Sequence, residues 1–263
     1  MKKIYAGIFV VMGLLNANAA QAWMASNGNG LVYDSASNAT WTSDANLFLT
    51  MQIADPNLVN KIVATVPTIT DTPNLYDTPS NSGIHAISST DLLPGDNWYS
   101  LGHMFWYGAK AFVGYLNSIN YKGFHTWMLP PTFDQNCSAY NCTNSMLGQL
   151  FYGGLGGVAG QSILTTHNSN FSLFRNVDYF NYWSGTEYTP DPSNVWLLNP
   201  QSGDQFPGYK YYVGTVWPVL SGNIANITPV AAVPEPGEWM MMLSGFGLFG
   251  FLAKRRSHKV SGV

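Results

Sequence analysis

Apolar and polar positions alternate in short blocks along this chain. Leu31-Val32-Tyr33 is apolar, Asp34-Ser35-Ala36-Ser37-Asn38 is turn-forming, and Ala39-Thr40-Trp41-Thr42 turns apolar again. That order predicts a β-hairpin from Gly30 to Trp41. Residues 52–97 break the pattern. Pro56, Pro67, Pro73, Pro79 and Pro94 punctuate Thr, Asn, Asp and Ser, which predicts a long irregular surface excursion with short strands such as Ile62–Val66. Helical spacing returns at Gly102–Ile119, where Met104, Ala111, Phe112, Tyr115, Leu116 and Ile119 form an apolar stripe. The apolar knot Trp127-Met128-Leu129 is halted by Pro130-Pro131. A second helix is expected over Ser145–Tyr152, ended by Gly153-Gly154. The last third reads as strands at Tyr182-Trp183-Ser184, Val195–Leu198 and Tyr211–Leu220, with Asn199–Gly208 as polar turn material. The expected class is α+β: a mixed antiparallel sheet packed with two helices, with long loops.

The two ends read differently. Lys2 and Lys3 precede an apolar stretch, Ile4 to Leu15, and Ala20-Gln21-Ala22 forms a small-residue cleavage site. This is the pattern of a secretory signal over residues 1–22, with Trp23 as the first mature residue; an uncleaved anchor is the alternative. From Trp239 to Ala253 the chain carries no charge, and Lys254-Arg255-Arg256 follow at once. As a helix that run spans about 22 Å against a hydrocarbon core of about 30 Å. Snorkelling basic side chains cover such a shortfall, and they place the C-terminus in the cytoplasm. The alternative is a buried C-terminal helix, which should show a polar face.

Composition sharpens this picture. The chain has 263 residues, of which 10% are charged, against about 25% in ordinary globular domains. Its surface must therefore be built largely from Asn, Ser, Thr, Gly and Tyr. Between Trp23 and Pro236 there are five basic residues and thirteen acidic ones, a net charge of −8. The positive charge is concentrated in the terminal segments. No basic patch is available for a phosphate backbone, which argues against nucleic-acid binding.

Candidate chemistry is sparse. Cys137 and Cys142 are the only cysteines, and an even count in an exported chain predicts a disulfide. A metal or redox pair is the alternative. The histidines show no metal-binding spacing, and no H-E-x-x-H or G-x-S-x-G is present. No catalytic residue is assigned, and no metal site or cofactor is expected, apart from a candidate calcium bound by the loop acids Glu187, Asp191 and Asp204. Trp41, Trp127, Trp183, Trp196 and Trp217 are expected in the core. Trp98, Tyr99, Trp106 and Tyr107, with Tyr209, Tyr211 and Tyr212, are candidates for stacking on sugar rings, although packing competes for all of them. Trp98, Tyr99, Glu187, Asp191, Asp204 and Tyr209 form the candidate ligand-binding set. A secreted glycan-acting hydrolase is the alternative function, and convergent carboxylates in a cleft would favour it.

Two resemblances add to this. Val233-Pro234-Glu235-Pro236, the apolar run and Lys254-Arg255-Arg256 resemble the PEP-CTERM sorting signal. The resemblance implies a sorting segment over 234–259 with a transmembrane helix at 239–253, behind a linker at 223–233. It implies transient anchoring in the inner membrane of a Gram-negative bacterium, an exosortase-type enzyme as partner, and delivery to the cell surface or extracellular polysaccharide matrix. The body, residues 23–222 with 52–97 as an insertion, is similar to the Lcl C-terminal-like family of exported bacterial domains. The matching stretches are Gly30–Asp34, Thr40-Trp41, Asp44–Leu47, Trp127–Pro130, Met146–Tyr152, Tyr182–Tyr188, Val195-Trp196 and Val216–Val219. Met128 stands where that family usually carries Arg, and Leu220 where Arg often follows. This resemblance implies a C-type-lectin-like fold. It supplies no catalytic residue, so the expected function is non-enzymatic: a binding or structural module for polysaccharide or envelope components.

Overall fold

Strand β1 (Met24–Ser26) pairs with β2 (Leu31–Asp34), which turns through residues 35–38 into β3 (Ala39–Thr42). The computed structural model describes residues 23–95, 101–224 and 226. The chain divides into two units, Met1–Thr228 and Pro229–Val263, and every element here belongs to the first. Asn38 closes the hairpin at φ 46°, a left-handed conformation that Asn tolerates. The last strand, β9 (Val219–Ser221), pairs with β3, so the sheet order is β1-β2-β3-β9. The start and end of the body thus share one sheet.

Residues 52–97 are more regular than their prolines suggest. Helices α1 (Leu47–Ala54) and α2 (Leu58–Thr65) come first. A hairpin of β4 (Thr68–Thr70) and β5 (Ile84–Ala86) follows, then one turn of helix, α3 (Ser89–Leu92). Ile62–Val66 is therefore helix and its cap, not a strand. The prolines bracket the helix rather than prevent it: Pro56 lies before its start and Pro67 follows its cap. Leu58, Val59 and Ile62 supply its buried face.

The expected long helix is α4 (Trp106–Ser118), and the second is α5 (Met146–Gly148), continued by a wider turn through Gln149–Gly154. The closing sheet holds β6 (Tyr182–Glu187), β7 (Asn194–Leu198) and β8 (Gln205–Tyr209) in that order, all antiparallel. All of strand β8 but Tyr209 falls inside the stretch expected to be turn, while 211–218 is not a named strand. Pro207 and Gly208 hid it. A proline is tolerated there because β8 is an edge strand.

The observed class is α+β with antiparallel sheets, but the strands form three small sheets rather than one. Five α-helical segments occur among the described residues. The core has two clusters. In one, Phe48, Trp106, Phe112 and Trp183 join α1, α4 and the closing sheet; in the other, Trp41, Phe151, Tyr182 and Trp217 join the first sheet to α5. All five tryptophans expected in the core are at most 3% exposed. Leu220, at the family's Arg position, is fully buried opposite Thr40.

Among the described residues no helix is long and apolar enough to cross a membrane. The signal site Ala20 and Ala22, the apolar run 239–253 and the sorting residues Pro234, Glu235, Pro236, Lys254, Arg255 and Arg256 lie outside the described residues, as do Trp98 and Tyr99.

Candidate ligand-binding surface

The site begins at the exit of β8. Tyr209 ends the strand opposite Asn194, and the chain turns at Lys210, where the Tyr212 amide donates to the Tyr209 carbonyl at 2.8 Å. Three tyrosines of this turn face solvent. Tyr209 is 46% exposed, Tyr211 36% and Tyr212 46%. Tyr209 and Tyr212 meet edge to face at 5.3 Å. Gly208 makes room for this, since a Cβ there would lie 2.6 Å from Leu197 and 3.0 Å from the Tyr212 ring. Tyr211 stands edge-on to Tyr76, at 4.8 Å, and to Phe105, at 5.2 Å.

The turn is held from below by the one buried cation of the described residues. The Lys210 side chain is fully buried, and its Nζ donates to Asp71 Oδ2 and Glu187 Oε1, each at 2.5 Å. Nζ also lies 4.7 Å from the Trp106 ring centre and 5.6 Å from that of Tyr107. Asp71 follows β4 and Glu187 ends β6, so Lys210 ties the 67–87 hairpin region to the closing sheet. Its backbone is fixed too. The Lys210 amide donates to the Ser193 carbonyl at 3.1 Å, and its carbonyl accepts from the Trp106 amide at 2.9 Å, which satisfies an otherwise orphaned donor at the start of α4.

A second polar layer surrounds this. The Tyr107 hydroxyl donates to Asp71 Oδ2 at 3.2 Å. Burial, with Asp71 beside it, holds that hydroxyl protonated well above its ordinary range. His85 stacks on Tyr107 at 3.7 Å and an interplanar angle of 11°, and its Nε2 lies 3.0 Å from Asp91 Oδ1. Burial alone would raise the Asp91 carboxyl. Bonds from His85 and from the Ser88 amide and hydroxyl outweigh it and leave its pKa below the ordinary value.

The candidate residues separate. Tyr209, Glu187 and Asp191 share one end of the closing sheet. Glu187 is engaged by Lys210 and by the Thr72 hydroxyl at 2.6 Å. Asp191 accepts from the Ser193 amide and from Asn194 Nδ2, closing the β6–β7 turn. Asp204 sits at the other end of β7, because Gln205 pairs with Leu198 whereas Tyr209 pairs with Asn194; it accepts from the Ser202 hydroxyl. The antiparallel register therefore splits the candidate calcium trio. Among the described residues no group of three or more His, Cys, Asp or Glu converges as a metal site. Cys137 and Cys142 are joined, with Cα atoms 5.6 Å apart. Their loop is tied to β8 by Gln205, whose Nε2 donates to the Cys137 carbonyl at 3.0 Å.

Sequence reading missed Asp71, Tyr76, His85 and Asp91, and counted Lys210 only as a charge. The available signal was composition: a lone Lys between two tyrosines, in a body with five basic residues. A separate polar cleft of about 370 Å³ opens between Gly30, Ser43, Lys122 and Arg175. Arg175 is held there by Asp44, with Nη2 at 3.0 Å from Oδ2.

The family model for the Lcl C-terminal domain matches residues 30–220. The chain belongs to the Lcl C-terminal domain family. Those bounds enclose the hairpin, the Trp127 knot and the closing strands. The Lcl family is associated with exported bacterial proteins. No curated protein matches the chain significantly.

Proposed function

We propose that this Lcl-family body is a non-enzymatic, surface-displayed module that binds extracellular polysaccharide through its tyrosine turn. The observation that carries this is the presentation of Tyr209, Tyr211 and Tyr212 on a turn anchored by buried Lys210. Exposed rings held rigidly lose little conformational freedom on binding, and each offers an apolar face with a hydroxyl at its rim. The carboxylates Asp71 and Glu187 both contact Lys210, which supports ion pairing over glycan hydrolysis. Delivery follows the terminal segments: export by residues 1–22, transient anchoring through 239–253, and release or transfer by an exosortase-type enzyme acting at Pro234-Glu235-Pro236. Affinity per site is modest, and display of many copies compensates through multivalency.

The test is binding of the purified chain to polysaccharide extracted from its own host. Replacing Tyr209 and Tyr212 together by Ala should weaken binding roughly tenfold or more, since each ring contributes about 1 kcal/mol. Unchanged binding by a folded double variant would overturn the proposal.

A further inference from the structure

The Lys210 cluster is an unusual place for a plain ion pair. Both Lys210 and Asp71 side chains are fully buried, and Glu187 is 22% exposed. The cluster holds one cation and two carboxylates inside a wall formed by Trp106 and Tyr107. Removing such ions from water costs several kcal/mol apiece. The satisfaction of Asp71 is also lopsided. Its Oδ2 accepts from Lys210, Tyr107 and Asn74. Its Oδ1 is buried and has no hydrogen-bond partner among the described residues. An ionised carboxylate with an unsolvated, unpaired oxygen is among the costlier groups to bury.

We propose that Lys210 and Asp71 condense into an intramolecular amide, with Glu187 as the proton carrier. The geometry supplies what this needs. Lys210 Nζ touches the Asp71 carboxylate at 2.5 Å and the Glu187 carboxylate at the same distance. Neither backbone is free to drift: the Asp71 amide donates to the Gly83 carbonyl at 3.1 Å, and Lys210 is bonded through both its amide and its carbonyl. Reacting atoms held in this way react as a unimolecular pair, with effective concentrations that reach about 10⁵ M or more in well-oriented systems.

The step balances without any other reagent. In the first step one proton passes from the Lys210 ammonium to the Asp71 carboxylate that it touches, giving the amine and the acid that the condensation consumes. The amine lone pair attacks Asp71 Cγ and forms the Nζ–Cγ bond. Glu187 takes a second proton from Nζ and returns it to the departing hydroxyl. The Cγ–O bond breaks and one water leaves. Two charges cancel, Glu187 ends ionised as it began, and nothing is oxidised or reduced. Glu187 suits this role. It keeps its bonds from the Thr72 amide and hydroxyl throughout, and its partial exposure offers a route for the water. The Asp71 oxygen that remains becomes an amide carbonyl, far cheaper to bury than a carboxylate oxygen. The product staples the 67–87 hairpin region to the turn that carries Tyr209, Tyr211 and Tyr212.

The experiment is mass spectrometry of the full chain, folded, then digested by trypsin after denaturation and reduction. The expected result is one joined species containing the Asp71 and Lys210 peptides, lighter than their sum by one water and uncut at Lys210. Asp71→Asn should give a joined species of the same final mass, because an amide donor loses ammonia and yields the same bond. A folded Glu187→Gln variant, matched by near-ultraviolet circular dichroism, should join about a hundredfold more slowly. Unjoined peptides with cleavage at Lys210 in fully folded wild-type protein would overturn the bond. Joining of Glu187→Gln at the wild-type rate would overturn the role of Glu187.

Discussion

His103 Nε2 lies 2.8 Å from Asp178 Oδ2 across 75 positions of sequence, and the same oxygen accepts from Asn46 Nδ2 at 3.0 Å. Asn46 is the N-cap of α1, accepting from the Leu49 amide. Asp178 thereby couples the segment before α4 to the start of α1. Burial would raise its pKa, but bonds from His103 and from the Phe180 and Tyr179 amides outweigh it and hold the carboxyl below its ordinary value. Asp91 behaves alike.

A carboxyl with a depressed folded pKa contributes stability that is present above the unfolded value, about 3.9, and lost as pH falls through the lower folded value. The body should therefore lose stability progressively below about pH 4. Asp178→Asn should flatten that loss. Urea midpoints measured from pH 2 to 7 check this; an unchanged slope for the variant would contradict the assignment.

Trp41 of β3 and Trp217, two residues before β9, should respond unequally. Trp41 and Trp217 meet edge to face at 5.5 Å, both nearly fully buried. Trp217 Nε1 donates to the Thr42 carbonyl at 2.9 Å, whereas Trp41 Nε1 is buried with no partner among the described residues. Replacement by Phe removes similar volume in each case. Trp217→Phe also loses a hydrogen bond, and Trp41→Phe removes an orphaned donor. Trp217→Phe should be the more destabilising by about 1 kcal/mol or more in chemical denaturation. The reverse order would rule out this explanation.

What the sequence made legible follows from range. The Gly30–Trp41 hairpin was readable because alternation and turn residues are both local. The Cys137–Cys142 pair was readable because no other partner exists. The helix at 58–65 was not, since only Leu58, Val59 and Ile62 mark its face and two prolines crowd its ends. Strand β8 was masked by Pro207-Gly208, which only its edge position excuses. Lys210 is the clearest case. Its partners lie 139 and 23 positions away, and the tyrosines on either side of it hint at burial but do not name those carboxylates.

The disulfide loop should yield to two opposite changes. Closing the short Cys137–Cys142 loop stabilises by about 2 kcal/mol on a chain-entropy estimate, so replacing both cysteines by Ser should lower stability by about that amount. Within the loop Ala139 sits at φ 133°, which costs an L-residue on the order of 1 kcal/mol. Ala139 also exchanges both backbone hydrogen bonds with Gln205 at 2.8 Å, which holds it there. Ala139→Gly should raise the unfolding midpoint. A lowered midpoint would mean that the lost methyl contact outweighs the strain.

Gly108 gives the sharpest test of packing near the tyrosine surface. It lies in the first turn of α4, where replacing Gly by Ala ordinarily gains about 1 kcal/mol of helix propensity. A Cβ there would fall 2.2 Å from the Asp91 carbonyl oxygen and 2.7 Å from its carbon. Backbone cannot yield as a side-chain end does, so α3 must move away from α4. That movement pulls on Asp91, which holds His85 against Tyr107, and on the Phe105 amide bond to the Asp91 carbonyl at 2.9 Å. Gly153, with no atom within 4 Å of its Cβ position, is the matched control. Gly108→Ala should destabilise by about 2 kcal/mol or more, while Gly153→Ala should leave stability within about 0.5 kcal/mol. Polysaccharide binding should fall in Gly108→Ala alone, because only that change disturbs the layer beneath Tyr211. A stabilised Gly108→Ala variant would show that α3 is not packed as closely on α4 as the carbonyl contact requires.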